Sequence, residues 1–482
     1  MAKQKLKRGF LIGGREVFEG EEVQIRSPWD QSLVGTVIQA SRHHAIEAVR
    51  LLDTSFDESF ADTRKVPSYQ RKQILESVAG KIGAQREELA QLIVAEAGKP
   101  LKAARVEVDR AVLTFTTAAE EAVRENGEVL PLDLLKGNEG RWGIVRRFPA
   151  GPAFAITPFN FPLNLVAHKL APAIAAGCPV LLKPAPQTPF SSLKLGDFLL
   201  EAGWPPAAIA VLPLANEDAA FLLEHEDRLK VLSFTGSAKV GWALKQKAAK
   251  KRVLLELGGN AAVIVHSDWP DLAAAAQNTV IAGTSYAGQS CISVQRVYVE
   301  RPAFDEFLKH AIRTAGTLVM GDPANDVTDI GPIIRMSDAE RIESWIDEAR
   351  ALGATVLTGG SREGSLVEPT LLTGTHSPMK VLDDEVFAPV IAIEPYDDFE
   401  EVLREVNHSR YGLQAGLFTR DAGRIFSAYE TLDVGGLIVG DTPTWRLDPM
   451  PYGGVKDSGI GREGIRYAIE ELTERKLLVI AI

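Results

Sequence analysis

The chain is poor in cysteine, with only Cys178 and Cys291 in 482 residues and no CxxC pair. So few thiols exclude a disulfide framework and a thiolate metal site; no metal is expected, and a reducing, cytoplasmic location is. An excess of positive charge is lacking too, because 53 Lys and Arg stand against 64 Asp and Glu for a formal net charge of -11. General affinity for nucleic acid or an anionic membrane surface is excluded, since either needs a clustered basic face, although local basic pockets stay open. Long apolar runs are missing as well. The most apolar stretch, 151–182, is interrupted by Asn160, Asn164, His168, Lys169 and several prolines, so it cannot span a bilayer as a helix. The basic start MAKQKLKRGFLIGG has an apolar segment too short for a signal peptide and no small-residue cleavage site, so secretion is not expected and the sequon at Asn407 carries no meaning. There is neither an internal repeat nor a low-complexity linker.

What is there suits a globular protein: 45% hydrophobic, 24% charged and 7% aromatic residues. At roughly 150 residues per domain the length implies two or three domains. From about 150 to 265, short apolar runs (AFAIT, PVLLK, AIAVLP, KVLSFT, VLLEL) alternate with amphipathic ones such as NLVAHKLAPAIAAG and SSLKLGDFLLEAG. Strands of four to six residues separated by helices of ten or more predict right-handed βαβ units and a doubly wound parallel sheet. A second alternating series from about 268, including RVYVE, VIAIEPY, AGLFT and GGLIVG, predicts a second α/β domain. The region before both reads as helical, since QRKQILESVAGKIGAQREELAQLIVAEAG has apolar residues at i, i+3, i+4 spacing. The segment 122–150 reads as a strand pair that projects from the body.

Several residues are candidates for chemistry. GIGREG, with Gly459, Gly461 and Gly464, satisfies G-x-G-x-x-G, but no strand precedes it and too little chain follows for a βαβ unit. A better anion site is Gly236–Ser237, where the strand KVLSFT meets a helix; the alternative is a plain N-cap by Ser237. Asn160 in TPFNFP lies on the first strand-to-helix turn, as an N-cap or as an amide donor pointing into the crevice. Lys183 ends the strand PVLLK, either solvated or facing a ligand. Glu256 follows an apolar run and precedes two glycines, so it is either a surface carboxylate or a buried general base with a raised pKa. Cys291 sits in TSYAGQSCISVQR without aliphatic cover, a candidate nucleophile if its thiolate is stabilised and otherwise a bystander. Cys178, in AAGCPVLL, reads as packing.

Taken in order, TPFNFPLN, LLKPA, FTGS, ELGGN, GQSC, EVFAPV and PYGGVKDSG resemble the aldehyde dehydrogenase superfamily over nearly the whole chain. The resemblance implies a cofactor domain (1–125 and 147–257), a catalytic domain (258–440) and a small β oligomerisation element (126–146 and 463–482) that makes a homodimer or homotetramer. It also implies that Cys291 attacks the aldehyde, that Asn160 and the Cys291 N–H hold the oxyanion, and that Glu256 activates the hydrolytic water. Thr157, Pro158, Lys183, Gly236, Ser237, Glu385 and Phe387 would bind NAD or NADP. Where many NAD-preferring members have a ribose-binding glutamate this chain has Pro186, which leaves the choice of dinucleotide open. The segments GQSCISVQRVYV and TWRLDPMPYGGVK are most similar to the branch of lactaldehyde and non-phosphorylating glyceraldehyde-3-phosphate dehydrogenases. Some members of that branch use an arginine at the position of Arg110, and Arg446 is a second candidate; each either holds a polar or anionic group of a short aldehyde or is structural. Ser290 stands where branches handling phosphorylated glyceraldehyde can carry a cation. Two further readings are a CoA-acylating dehydrogenase, against which Glu256 argues, and a non-catalytic protein of the same fold, against which the intact trio argues. A cofactor-free thiol hydrolase lacks a histidine in any motif to serve as its base.

Overall fold

The computed structural model describes residues 6–57, 63–124 and 127–481. The first five residues of the basic start, the expected boundary at 125 and 126, and the last residue of the expected 463–482 segment lie outside them.

Five short, wholly apolar or nearly apolar strands form the parallel centre of the first sheet. In spatial order they are Arg252–Glu256, Val231–Thr235, Ala153–Ile156, Val180–Lys183 and Ile209–Val211. Their sequences carry no polar alternation because helices cover both faces, and Ala153–Ile156 and Val180–Lys183 are buried at every residue. Helices Asn164–Ala176, Pro189–Glu201, Asn216–His225 and Ala238–Lys247 are the connections. From Ala153–Ile156 the strand order runs first to one side and then to the other. The carboxyl ends of Ala153–Ile156 and Val231–Thr235 therefore flank the crevice where such sheets bind ligands.

Antiparallel strands extend both edges. Phe10–Ile12 and Arg15–Val17 join beyond Ile209–Val211, and Gly459–Ile460 pairs with Arg252–Glu256. The GIGREG glycines thus belong to an edge strand and the turn after it. The N-terminal region departs from the helical expectation, since among the described residues five strands precede helix Arg42–Asp57: Leu6–Arg8, Phe10–Ile12, Arg15–Val17, Glu21–Arg26 and Leu33–Gln39. Gly13 and Gly14, with φ +58 and +76, make the two-residue turn that closes Ile12 onto Arg15. The periodic run expected as helix forms two helices, Ser68–Ala84 and Arg86–Ala97, broken at Gln85.

The second sheet has seven strands in the order Thr355–Thr358, Thr370–Thr373, Val390–Tyr396, Val294–Glu300, Ala261–Val265, Gln414–Phe418 and Gly436–Val439. All its pairings are parallel except that of Thr355–Thr358. The expected strand pair is Glu128–Pro131 and Arg141–Pro149, and Thr473–Ala481 adds a third antiparallel strand to it. Almost every residue of Thr473–Ala481 is exposed.

Candidate active site between the two sheets

Cys291 lies in the loop between helix Leu272–Thr284 and strand Val294–Glu300. That loop is bent by three consecutive left-handed residues, Tyr286, Ala287 and Gly288, with φ of 50, 52 and +67. At Gly288 a Cβ would overlap the Ala388 carbonyl, so only glycine fits. Gln289 pins the loop from within. Its amide donates to the carbonyls of Tyr286 (3.3 Å) and Pro332 (3.2 Å), and its Oε1 accepts from the Ile334 N–H at 2.9 Å. Tyr286 reaches the Ala97 carbonyl at 2.9 Å. The strain at two non-glycine left-handed residues is held by these contacts.

A cavity of about 490 Å³ brings Cys291, Glu256 and Asn160 together with Pro158, Gly236, Ser237, Glu385, Phe387, Arg110 and Arg446. Thr157 and Lys183 do not line it; both are buried at neighbouring strand ends. Glu256 closes its strand, and its Oε2 is buried without a hydrogen-bond partner. Burial, and then the charge of Glu463, push its carboxyl well above the usual range, against Lys169, Arg446 and Arg462. The Asn160 amide donates one hydrogen to the Gln289 carbonyl at 3.0 Å and keeps a second; its Oδ1 is unpartnered. The Cys291 sulfur lies 3.1 Å from the Tyr452 hydroxyl. Burial pushes the thiol up to about 11, with Tyr452 and Arg446 opposing and Glu385 and Glu256 adding to the rise.

The groups expected to hold a dinucleotide have unsatisfied polar capacity. Ser237 takes the N-cap position of helix Ala238–Lys247, yet its side chain makes no capping hydrogen bond, so the helix end stays open as an anion site. The hydroxyls of Thr157 and Thr235 are buried without partners. Lys183 is buried, its pKa lowered to about 8 by desolvation, and no carboxylate among the described residues pairs with it. Glu385 accepts the Gly259 N–H at 3.0 Å, and burial raises its carboxyl to about 7. Phe387 sits edge-on to Phe159, ring centroids 6.1 Å apart. These residues fit a nicotinamide dinucleotide.

Sequence reasoning missed a buried charged network behind the thiol. Lys169 pairs with Glu463 at 2.6 Å, Arg446 pairs with Glu463 at 3.2 Å, and the Arg446 guanidinium lies 3.6 Å from the centroid of the Tyr452 ring. Asp448 accepts from His168 at 2.8 Å and from Arg110 at 2.7 and 3.2 Å. Although burial works the other way, His168 and Arg110 hold Asp448 well below the usual carboxylate range. Both candidate substrate arginines are therefore committed to carboxylates. The signal was present in helix Asn164–Ala176, which is buried at every residue and yet carries His168 and Lys169.

A doubly wound sheet open at its switch point, with a thiol and a carboxylate meeting in the cavity between two sheets, is the arrangement of a dinucleotide-dependent oxidoreductase. The chain belongs to the aldehyde dehydrogenase family, which it matches over residues 17–478. It is 41% identical over 473 residues to the 3-sulfolactaldehyde dehydrogenase of Priestia megaterium, covering 98% of each chain. Among solved structures, aldehyde dehydrogenase 21 of Physcomitrella patens in complex with the reaction product succinate is 41% identical, with TM-score 0.96 over 99% of each chain. The glyceraldehyde-3-phosphate dehydrogenase GapN of Methanocaldococcus jannaschii complexed with NADP is 36% identical, with TM-score 0.91 over 96% of this chain and all of that one.

Proposed function

We propose that this protein oxidises a short polar or anionic aldehyde to the carboxylic acid with NAD or NADP. The observation that carries this reading is one cavity holding the Cys291 thiol, the second amide hydrogen of Asn160 and a Glu256 carboxylate with an unpartnered oxygen. The Cys291 sulfur attacks the carbonyl carbon, and the oxygen takes the negative charge, stabilised by the Asn160 amide and the Cys291 N–H. The first sheet, with Lys183, Ser237 and the hydroxyls of Thr157 and Thr235, would hold the dinucleotide, whose nicotinamide ring supplies the hydride acceptor. Re-forming the carbon–oxygen double bond would break the C–H bond of that carbon and expel its hydrogen as hydride, leaving the acyl group as a thioester on Cys291. Glu256 takes a proton from water, the hydroxyl adds to the acyl carbon, and the carbon–sulfur bond breaks to release the acid and the thiol. Because Glu256 is present, water rather than CoA is the acceptor.

A vestibule of about 510 Å³, lined in part by Arg110, Phe161, Ser285, Ser290 and Thr442, lies on the same loop and is read as the substrate entrance. Similarity to a sulfolactaldehyde dehydrogenase and to an enzyme bound to succinate supports an anionic aldehyde. Arg110 and Arg446, although paired with Asp448 and Glu463, both line the cavity and are the cations an anionic group would meet there. The NADP bound to GapN supports the phosphorylated dinucleotide. The two large sheets are read as the cofactor and catalytic domains, and the exposed three-stranded sheet as the homodimer or homotetramer contact. The test is a kinetic panel of sulfolactaldehyde, lactaldehyde, succinic semialdehyde, phosphonoacetaldehyde and glyceraldehyde 3-phosphate with each dinucleotide, with and without CoA. Cys291→Ala should abolish NAD(P)H formation while the circular dichroism spectrum is retained; substantial residual turnover, or an acyl-CoA product, overturns the reading.

A further inference from the structure

Tyr452 is 2% exposed, and its hydroxyl has one hydrogen-bond partner among the described residues, the Cys291 sulfur at 3.1 Å. The residue is fixed from several sides. Its N–H donates to the Glu463 carbonyl at 2.9 Å, and the Glu463 N–H returns a bond of 2.6 Å. Ile292 and Leu413 pack with the ring, and Arg446 lies over its face at 3.6 Å. Arg446 is itself held by Glu463, which also takes Lys169.

While the sulfur is a thiol, either partner can donate. Once it is a thiolate, only the phenol can. The groups facing the pair are Arg446, Glu256 and Glu385, with Glu463 and Lys169 behind the arginine. Burial, and then the neighbouring sulfur, hold the tyrosine well above its ordinary pKa, so it remains a donor and does not act as a base. A cation on the ring face strengthens the O–H as a donor.

Resting on the reading of Cys291 as nucleophile, we propose that Tyr452 is a catalytic residue. Its hydroxyl donates a hydrogen bond to the Cys291 thiolate, and Arg446 on its ring supplies the positive field that a histidine supplies in other thiol enzymes. Only the S–H bond breaks: the thiol proton leaves to solvent base, and Tyr452 keeps its own. The hydrogen bond loosens as charge moves from sulfur to the aldehyde oxygen, so it acts on the population of the nucleophile.

Tyr452→Phe removes one oxygen and keeps the ring beneath Arg446. The measurement is the rate of Cys291 alkylation by iodoacetamide against pH in the intact protein, with the modified residue located by mass spectrometry. Thiolate ultraviolet absorbance, blanked with Cys291→Ala, is the second readout. The inflection should move up by about one pH unit on loss of a charge-assisted hydrogen bond. The variant should alkylate about threefold slower below the inflection and faster above it, because a more basic thiolate is the better nucleophile. A tyrosine that only fills space would scale the rate equally at every pH, so an unmoved inflection by both readouts overturns the proposal. That outcome leaves the reading of Cys291 intact as long as Cys291→Ala has lost turnover.

Discussion

In the proposed reaction the unpartnered oxygen of Glu256 is the acceptor that the hydrolytic water needs, and its environment would set the pH at which it works. A protonated carboxyl cannot take a proton, and burial beside Glu463 raises the Glu256 pKa. Thioester hydrolysis should therefore fail as pH drops through a value well above the usual carboxylate range; a pre-steady-state pH profile with its acid limb near 4 would contradict this. Glu256→Gln should still capture and oxidise one equivalent of aldehyde per chain, then stall, with steady-state turnover down by about 10²- to 10⁴-fold. Arg110 is tied to Asp448 on one side and reaches both the cavity and the vestibule. Arg110→Leu should lower kcat/KM for an anionic aldehyde by tenfold or more, about 1.4 kcal/mol, and much less for a neutral aldehyde of the same length. An equal loss for both would assign Arg110 to structure. Cys291, Glu256 and Asn160 were legible because each stands in a short local motif. Tyr452, Lys169, Glu463 and Asp448 were not, because their meaning lies in partners 160 to 300 positions away in the chain.

Among the elements, the loop 285–291 depends on its backbone shape. Gly288→Ala combines a left-handed φ with overlap on the Ala388 carbonyl, whereas Gly203→Ala has a similar φ of +91 with nothing within 4 Å. The second change should cost about 1 kcal/mol and leave turnover alone. The first should cost several times more and reduce kcat by displacing Cys291; equal melting temperatures for the two variants would show that the loop gives way freely. Helix Asn164–Ala176 is anchored by Glu107, which accepts the N–H groups of Leu163 and Asn164 at 2.9 and 3.1 Å and pairs with buried Lys99. That carboxylate stands at the helix N-terminus, where the dipole favours it. The alternation of strands and helices from 150 to 440 was readable because parallel strands buried on both faces leave continuous apolar runs. The N-terminal strands were hidden by their brevity, although the Gly13–Gly14 pair marked one hairpin.

At the scale of the whole molecule, strand Thr473–Ala481 pairs on one edge with Arg141–Pro149 and leaves Leu477, Leu478 and Val479 exposed beside Trp142. An uncovered apolar edge invites association. Deleting residues 473–482 should convert the proposed homodimer or homotetramer to smaller species by light scattering; an unchanged mass would move the proposed contact elsewhere. No helix among the described residues is long and apolar enough to cross a membrane.

The sequence by itself determined the alternation of strands and helices from about 150 to 440 and named the candidate groups Cys291, Glu256 and Asn160, since periodicity and short motifs are local properties of a chain. Only the tertiary structure decided which charges are free to act. It committed Arg110 to Asp448 and Arg446 to Glu463, left a Glu256 oxygen without a partner, and set a phenol against the thiol that TSYAGQSCISVQR shows without cover. Desolvation and ion pairing arise from what folding brings within a few ångströms, and neither can be read from neighbours along the chain.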